Sequence, residues 1–199
     1  LQLELSRRNI PYRIQSGMRF FEQAHIKDVI SYLRIIVNPR DELAWKRILK
    51  LIPGIGNKTA NRIYEAIVSR SVPPAVAGGE DAVAETSLVQ RIQATGDTQT
   101  GRLRSSQPWL DFVRLIELLV SAAHRGNPSR QITLIIENGY EQYLRENYEN
   151  ADVRMEDLRG LAQFANRYSS TEDFLAELAL LSTERFKEPQ AIVGEEVIE

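Results

Sequence analysis

Apolar residues recur three and four positions apart through nearly every segment of this 199-residue chain, a spacing that gathers them on one face only when the backbone is an α-helix. Ile26, Val29, Ile30, Leu33, Ile36 and Val37 form such a stripe between Ala24 and Val37. Trp109, Phe112, Val113, Ile116, Leu119 and Val120 form a second, ending near His124. A segment from Ser129 to Tyr148 carries Ile132, Ile135, Ile136, Tyr140, Tyr143 and Leu144, and Met155, Leu158, Leu161, Ala162, Ala165 and Tyr168 make a further stripe. The pattern predicts a mainly α fold, a multi-helix bundle. Its one exception is a short β segment at the N-terminal edge, where Tyr12 and Ile14 follow a helix-blocking Pro11. That strand is expected to be an orphaned edge, open to pairing with another chain.

Punctuation between the stripes supports the same reading. Asn38-Pro39 closes the first helix, and Asp41 is placed to cap the next, which should run to about Leu51. Pro53-Gly54-Ile55-Gly56 turns the chain into a helix reaching about Ser69. Prolines and glycines from Ser71 to Pro108 mark a variable connection with one short helix near 81–94. Pro108 suits a first helical turn, and Ser170 with Asp173 resembles a capping box opening a last helix through Leu181.

Composition removes several classes of function. Cysteine is absent, which excludes disulfide scaffolds, thiolate zinc sites and cysteine nucleophiles. His25 and His124 are the only histidines and read as isolated residues at the surface or core edge. No catalytic or metal-binding constellation emerges. Glu156/Asp157 and Glu172/Asp173 read as solvated pairs, Trp45 and Trp109 as core residues, and Tyr140, Tyr143 and Tyr148 as packing residues with hydroxyls in water. No P-loop of the form G-x-x-x-x-G-K-S/T is present to cradle a nucleotide, so the chain by itself is expected to hydrolyse nothing. No apolar run is long enough for a membrane span. Leu1 does not look like a native start, and the chain reads as a piece of a longer protein.

Charge is distributed unevenly. Residues 1–70 hold 13 Lys and Arg against 6 Asp and Glu, whereas residues 71–199 hold 12 against 21. A polyanion would therefore meet the first part of the chain. That part contains the most informative stretch, Leu49 to Ile63. Glycines on either side of Ile55 leave the turn free of side chains, and Ala60 allows close packing of the following helix. Amides of the turn and of the helix's first residues can then face an anion, with Lys58 adding a charge and Thr59 a hydroxyl. This is the pattern of a helix-hairpin-helix that grips the nucleic-acid backbone without reading bases. Gly54, Ile55, Gly56, Lys58 and Thr59 are its candidate DNA-binding residues.

Residues 9–37 resemble a block of the UvrD/Rep/PcrA-type superfamily 1 helicases, carried here by Arg19, Phe20, Phe21, Glu22, Ile26, Lys27, Asp28, Tyr32, Leu33 and Arg34. Gly54-Ile55-Gly56 is similar to the family's following RGIG element, and Arg154-Met155-Glu156-Asp157-Leu158 to its R-x-E-N-L helix start. The chain departs from the block at Ser16, at Gln23 and at His25, which stands where the family has glutamate. The resemblance implies the edge of the second motor domain (2A) over 1–22, a helical insertion (subdomain 2B) over 23–185 with its variable loop at 71–108, and a return segment at 186–199. It further implies a cytoplasmic, nucleoid-associated 3′–5′ DNA helicase as the parent, using ATP and Mg²⁺ at residues outside this chain. The insertion would contact duplex DNA or a duplex/single-strand junction and rotate to regulate unwinding. Its other partners would be its own motor domains and regulatory proteins, and Arg19 and Lys27 would lie near the motor's DNA track. Two further readings stay open from the residues alone: a stand-alone helix-hairpin-helix DNA-binding module, and a helical protein-interaction domain.

Overall fold

The computed structural model describes residues 20–69, 88–93 and 106–183. The expected Tyr12–Ile14 strand, Arg19 and most of the 71–108 connection lie outside these residues. Among the described residues every regular element is helical. A 3₁₀ turn at Phe20–Glu22 leads into α1 (Ala24–Val37), α2 (Glu42–Leu49) and α3 (Asn57–Ser69). Residues 88–93 are helical. The chain continues through α4 (Gln107–Val120), α5 (Pro128–Ile135), a kinked connection (Ile136–Tyr140), α6 (Glu141–Asn147), α7 (Ala151–Ala165) and α8 (Thr171–Thr183). No helix among them is long and apolar enough to cross a membrane.

Helix α1 is central because its sequence is apolar on more than one face. Eight of its fourteen residues are buried, and it packs against α2, α5, α7 and α8. Ile26, Val29, Leu33 and Ile35 are fully enclosed. Across the α1–α2 corner, Asp41 does two jobs. One oxygen accepts the Ala44 amide at 3.0 Å, capping α2, and the other accepts Arg34 Nε at 2.7 Å. Trp45 follows with no exposure, its indole N–H donating to the Pro39 carbonyl at 2.9 Å. Trp45 and Trp109 both pack on Phe112, which also meets Tyr32, so one aromatic cluster joins α1, α2 and α4. At the other end of the bundle, buried Gln131 donates to the Leu119 carbonyl at 2.9 Å and accepts from Thr171 at 2.7 Å, tying α5 to α4 and α8.

The stretch from Ser129 to Tyr148 is not one continuous helix. Asn138 (φ −102°, ψ 45°) and Gly139 (φ +115°) interrupt it, and only glycine takes the latter conformation without strain. Asn138 Nδ2 donates to the Leu134 carbonyl at 2.8 Å, satisfying an acceptor at the break. The capping at Ser170 is present, its hydroxyl accepting the Asp173 amide at 3.0 Å.

Two buried polar clusters depart from the sequence reading. Asp28, on α1 and nearly enclosed, accepts from Arg47 Nε of α2 at 2.6 Å and from the Tyr140 hydroxyl at 2.7 Å. Tyr140 is therefore inside with its hydroxyl bound, not in water. Burial first, and then the Asp28 charge, push its phenol upward, so it donates at any ordinary pH. His25 is not at the surface either: it is fully buried. Its Nδ1 faces Arg154 Nη1 at 2.9 Å and its Nε2 faces Asp157 Oδ2 at 3.2 Å. A guanidinium can only donate and a carboxylate only accept, so the ring is neutral with its proton on Nε2. Asp157, partly exposed, is thus a partner of His25 as well as an acid in contact with solvent. Arg154 completes the cluster by lying 3.9 Å from the Tyr148 ring centroid.

Asp28→Ala is expected to cost about 2–4 kcal/mol in urea unfolding, because it leaves Arg47 and the Tyr140 hydroxyl without their acceptor. Tyr140→Phe should cost about 1–2 kcal/mol, and Asp28→Asn should fall between them. Burial also holds the His25 pKa below its ordinary 6.5, against the raising effect of Asp157. Above 6.5 both the folded and unfolded chains carry a neutral ring. As pH falls below that value the unfolded chain takes up the proton first, so stability declines until folded His25 itself titrates. Thermal unfolding followed from neutral to mildly acidic pH should show this decline, and His25→Gln, which can mimic both hydrogen bonds, should flatten it.

Candidate nucleic-acid interface

The turn between α2 and α3 is built by its two isoleucines. After Leu49 the helix tightens, Leu51 and Ile52 donating to the carbonyls of Ile48 and Leu49 at 3.0 and 3.2 Å. The Ile55 amide then closes a turn on the Ile52 carbonyl at 3.1 Å. Ile52 and Ile55 are 6% and 5% exposed, whereas Pro53, Gly54 and Gly56 between and beside them face solvent. The turn is therefore anchored in the core at two points and bare outside. Gly54 has φ +85°, the left-handed region that makes the 52–55 turn possible.

Helix α3 begins with Asn57, and its first backbone bond is Ala60 N–H to the Gly56 carbonyl at 2.9 Å. The amides of Asn57, Lys58 and Thr59 precede that ladder, where a helix has donors without intrahelical acceptors. Ala60 is 1% exposed and lets α3 lie close on α2. A Cβ placed on Gly56 would meet no atom of the chain within 4 Å, and the same holds for Gly54. Nothing inside the fold demands that Gly56 lack a side chain. An anion approaching the exposed amides from outside would.

Of the residues singled out in the sequence, Gly54, Ile55, Gly56, Lys58 and Thr59 come together as one surface, with Ile55 turned inward as its anchor. Lys58 is exposed and Thr59 half-buried. Lys27 stands exposed on α1, separate from the turn in every described hydrogen bond, and Arg19 lies outside the described residues. Two exposed cations were missed. Lys50 sits at the end of α2, and Arg62 shares the face of Lys58 one helical turn on, which the i, i+4 spacing could have revealed. Among the described residues none of Lys50, Lys58 and Arg62 enters an ion pair. No group of three or more His, Asp or Glu among the described residues could hold a metal ion.

Among the described residues the scaffold is all-helical, and it presents a bare, amide-rich turn with cations around it. Known proteins are similar to it in sequence. The family described as the UvrD-like helicase C-terminal domain matches residues 1–72. DNA helicase II of Haemophilus influenzae is 32% identical over 160 residues, covering 79% of this chain and 20% of the relative. DNA helicase II of Escherichia coli is 28% identical over 176 residues, 87% and 22% of the two chains. The ATP-dependent DNA helicase UvrD1 of Mycobacterium leprae is 31% identical over 179 residues, 85% and 21%. The chain is a relative of the UvrD-type superfamily 1 DNA helicases and corresponds to part of their C-terminal region. It spans about a fifth of the length of these relatives.

The two glycines should separate by experiment. Gly54→Ala, strained at positive φ, is expected to lower stability by about 1 kcal/mol. Gly56→Ala, with open space around it, should leave urea unfolding unchanged within about 0.5 kcal/mol.

Proposed function

We propose that this chain is the helical accessory subdomain, of the 2B type, of an ATP-driven 3′–5′ DNA helicase, and that it holds the backbone of duplex DNA through the Gly54–Thr59 turn as a helix-hairpin-helix. The observation that supports this best is the pairing of an externally bare Gly56 with amides that precede the α3 ladder and with exposed Lys58. A phosphate oxygen accepts from such amides and is favoured by the positive end of the helix, while the lysine adds a charge. Because the amides meet phosphates and no base edge, the grip is independent of sequence.

In this reading, residues 1–22 belong to the edge of the second motor domain, 23–185 form the insertion, and 186–199 return toward the motor. ATP and Mg²⁺ are used by the parent at residues outside this chain, where hydrolysis drives translocation. The insertion itself makes no bond and breaks none. It positions the duplex and, by rotating on the motor, regulates how strand separation proceeds. Its location is the cytoplasm, on the nucleoid.

Binding of a fluorescent duplex to the chain is expected to be weak, near the 10⁻⁴–10⁻⁶ M range on the order of non-specific contacts, with log K falling against log salt at a slope of roughly −2 to −4. Lys58→Ala should weaken binding equally across sequences and flatten the slope by about one unit. Gly56→Val should do more, by placing a branched side chain where phosphate and backbone meet. If both variants stay folded by circular dichroism and bind as the parent does, the turn is structural only, and the surface at Arg19 and Lys27 becomes the DNA contact.

A further inference from the structure

Behind the turn lies a groove of about 320 Å³, bounded by Leu51–Pro53, the first turns of α4, the Asn138–Gly139 break and α6. Its floor is apolar and aromatic, with Ile52, Phe112, Leu115 and Tyr143 prominent. Its two charged lining residues are Asp111 of α4 and Glu146 of α6, both exposed. Each accepts one hydrogen bond at 2.7 Å from a glutamine one turn earlier, Gln107 and Gln142. Neither meets a cation among the described residues. The wall at Gly139 is open, since a Cβ there would meet nothing within 4 Å.

We propose that this groove is a docking site for a segment of a partner protein that carries a large apolar side chain beside Lys or Arg. Three observations choose the occupant. Two uncompensated carboxylates repel phosphate, so the groove is not an extension of a DNA track even though it shares Leu51–Pro53 with the turn. The volume lies at the bottom of the range for small-molecule sites and suits one or two large side chains rather than a whole cofactor. The floor rewards apolar contact while the carboxylates on α4 and α6 reward a cation beside it, which is the composition of a basic amphipathic peptide. The kink at Asn138–Gly139, where the backbone leaves the helical conformation, forms one wall. This inference stands apart from the DNA-binding reading and survives its failure.

The test is selection from a displayed library of random short peptides on the 199-residue chain, in parallel with its Gln142→Trp variant. Gln142 is an exposed lining residue, and tryptophan there is expected to fill the groove, with the fold checked by circular dichroism. Sequences with Lys or Arg flanking Leu, Phe or Trp should be enriched on the chain and lost on the variant. A selected peptide, labelled, should bind about fivefold to tenfold more weakly to Asp111→Asn/Glu146→Gln, as expected for two lost partly exposed charge contacts. It should also shift the amide resonances of Leu115, Ile135 and Gly139. Equal enrichment on chain and variant, selection of acidic peptides, or shifts of the same resonances by duplex DNA would each overturn the proposal. So would concentration-dependent dimerisation abolished by Gln142→Trp, which would assign the groove to a second copy.

Discussion

A carboxylate carried into the middle of a helical core must find partners there or remain outside. Asp28 is that carboxylate, and the arrangement around α1 follows from meeting its needs. Arg47 reaches it from α2, which fixes how α2 leans on α1. The Tyr140 hydroxyl reaches it from beyond α5, and that reach depends on the chain bending at Asn138–Gly139. Tyr140 in turn stacks on Tyr143, which meets Tyr148 edge-on, and Tyr148 carries the Arg154 guanidinium that faces His25. The path thus returns to α1 three residues from where it began. One acidic residue organises contacts among segments more than a hundred positions apart in sequence.

Much of this was legible in advance because it is written in local signals. Helix α1 has the limits that its apolar stripe predicts, Asp41 and Ser170 cap as their side chains suggest, and Pro108 sits in the first turn of α4. Both tryptophans are in the core. What could not be read was every feature requiring knowledge of a distant partner. His25 alone looks like an isolated residue of the surface or core edge. Only the placement of α7 beside α1 shows that Arg154 and Asp157 enclose it. Tyr140 lies on an apolar stripe that suits a continuous helix, and Asn138-Gly139 within it is only a weak local warning. The five residues of the turn could be grouped from sequence because they are adjacent. The groove could not, since its walls come from four separate stretches.

The two candidate surfaces divide the work of charge. The turn offers amides, a helix N-terminus and lysine to a polyanion, while the groove a few residues away offers carboxylates and aromatic floor to a cation. Leu51, Ile52 and Pro53 belong to both neighbourhoods. Were both proposed contacts made, opposite charge on adjoining faces would disfavour the spread of a nucleic acid from the turn into the groove.

Ile52 and Ile55 flank Pro53 and Gly54, Ile55 and Ala60 flank Gly56–Thr59, and all three are sunk in the core, which gives the turn the mechanics of a handle bolted along its length. A loop held only at its stems would yield when pulled, and the work would be dissipated in bending it. Here a tug on the outer amides is resisted by side chains seated against the body of the bundle. If the turn holds a ligand as proposed, such anchoring would pass the ligand's displacement to the bundle as a whole, with little lost as local deformation.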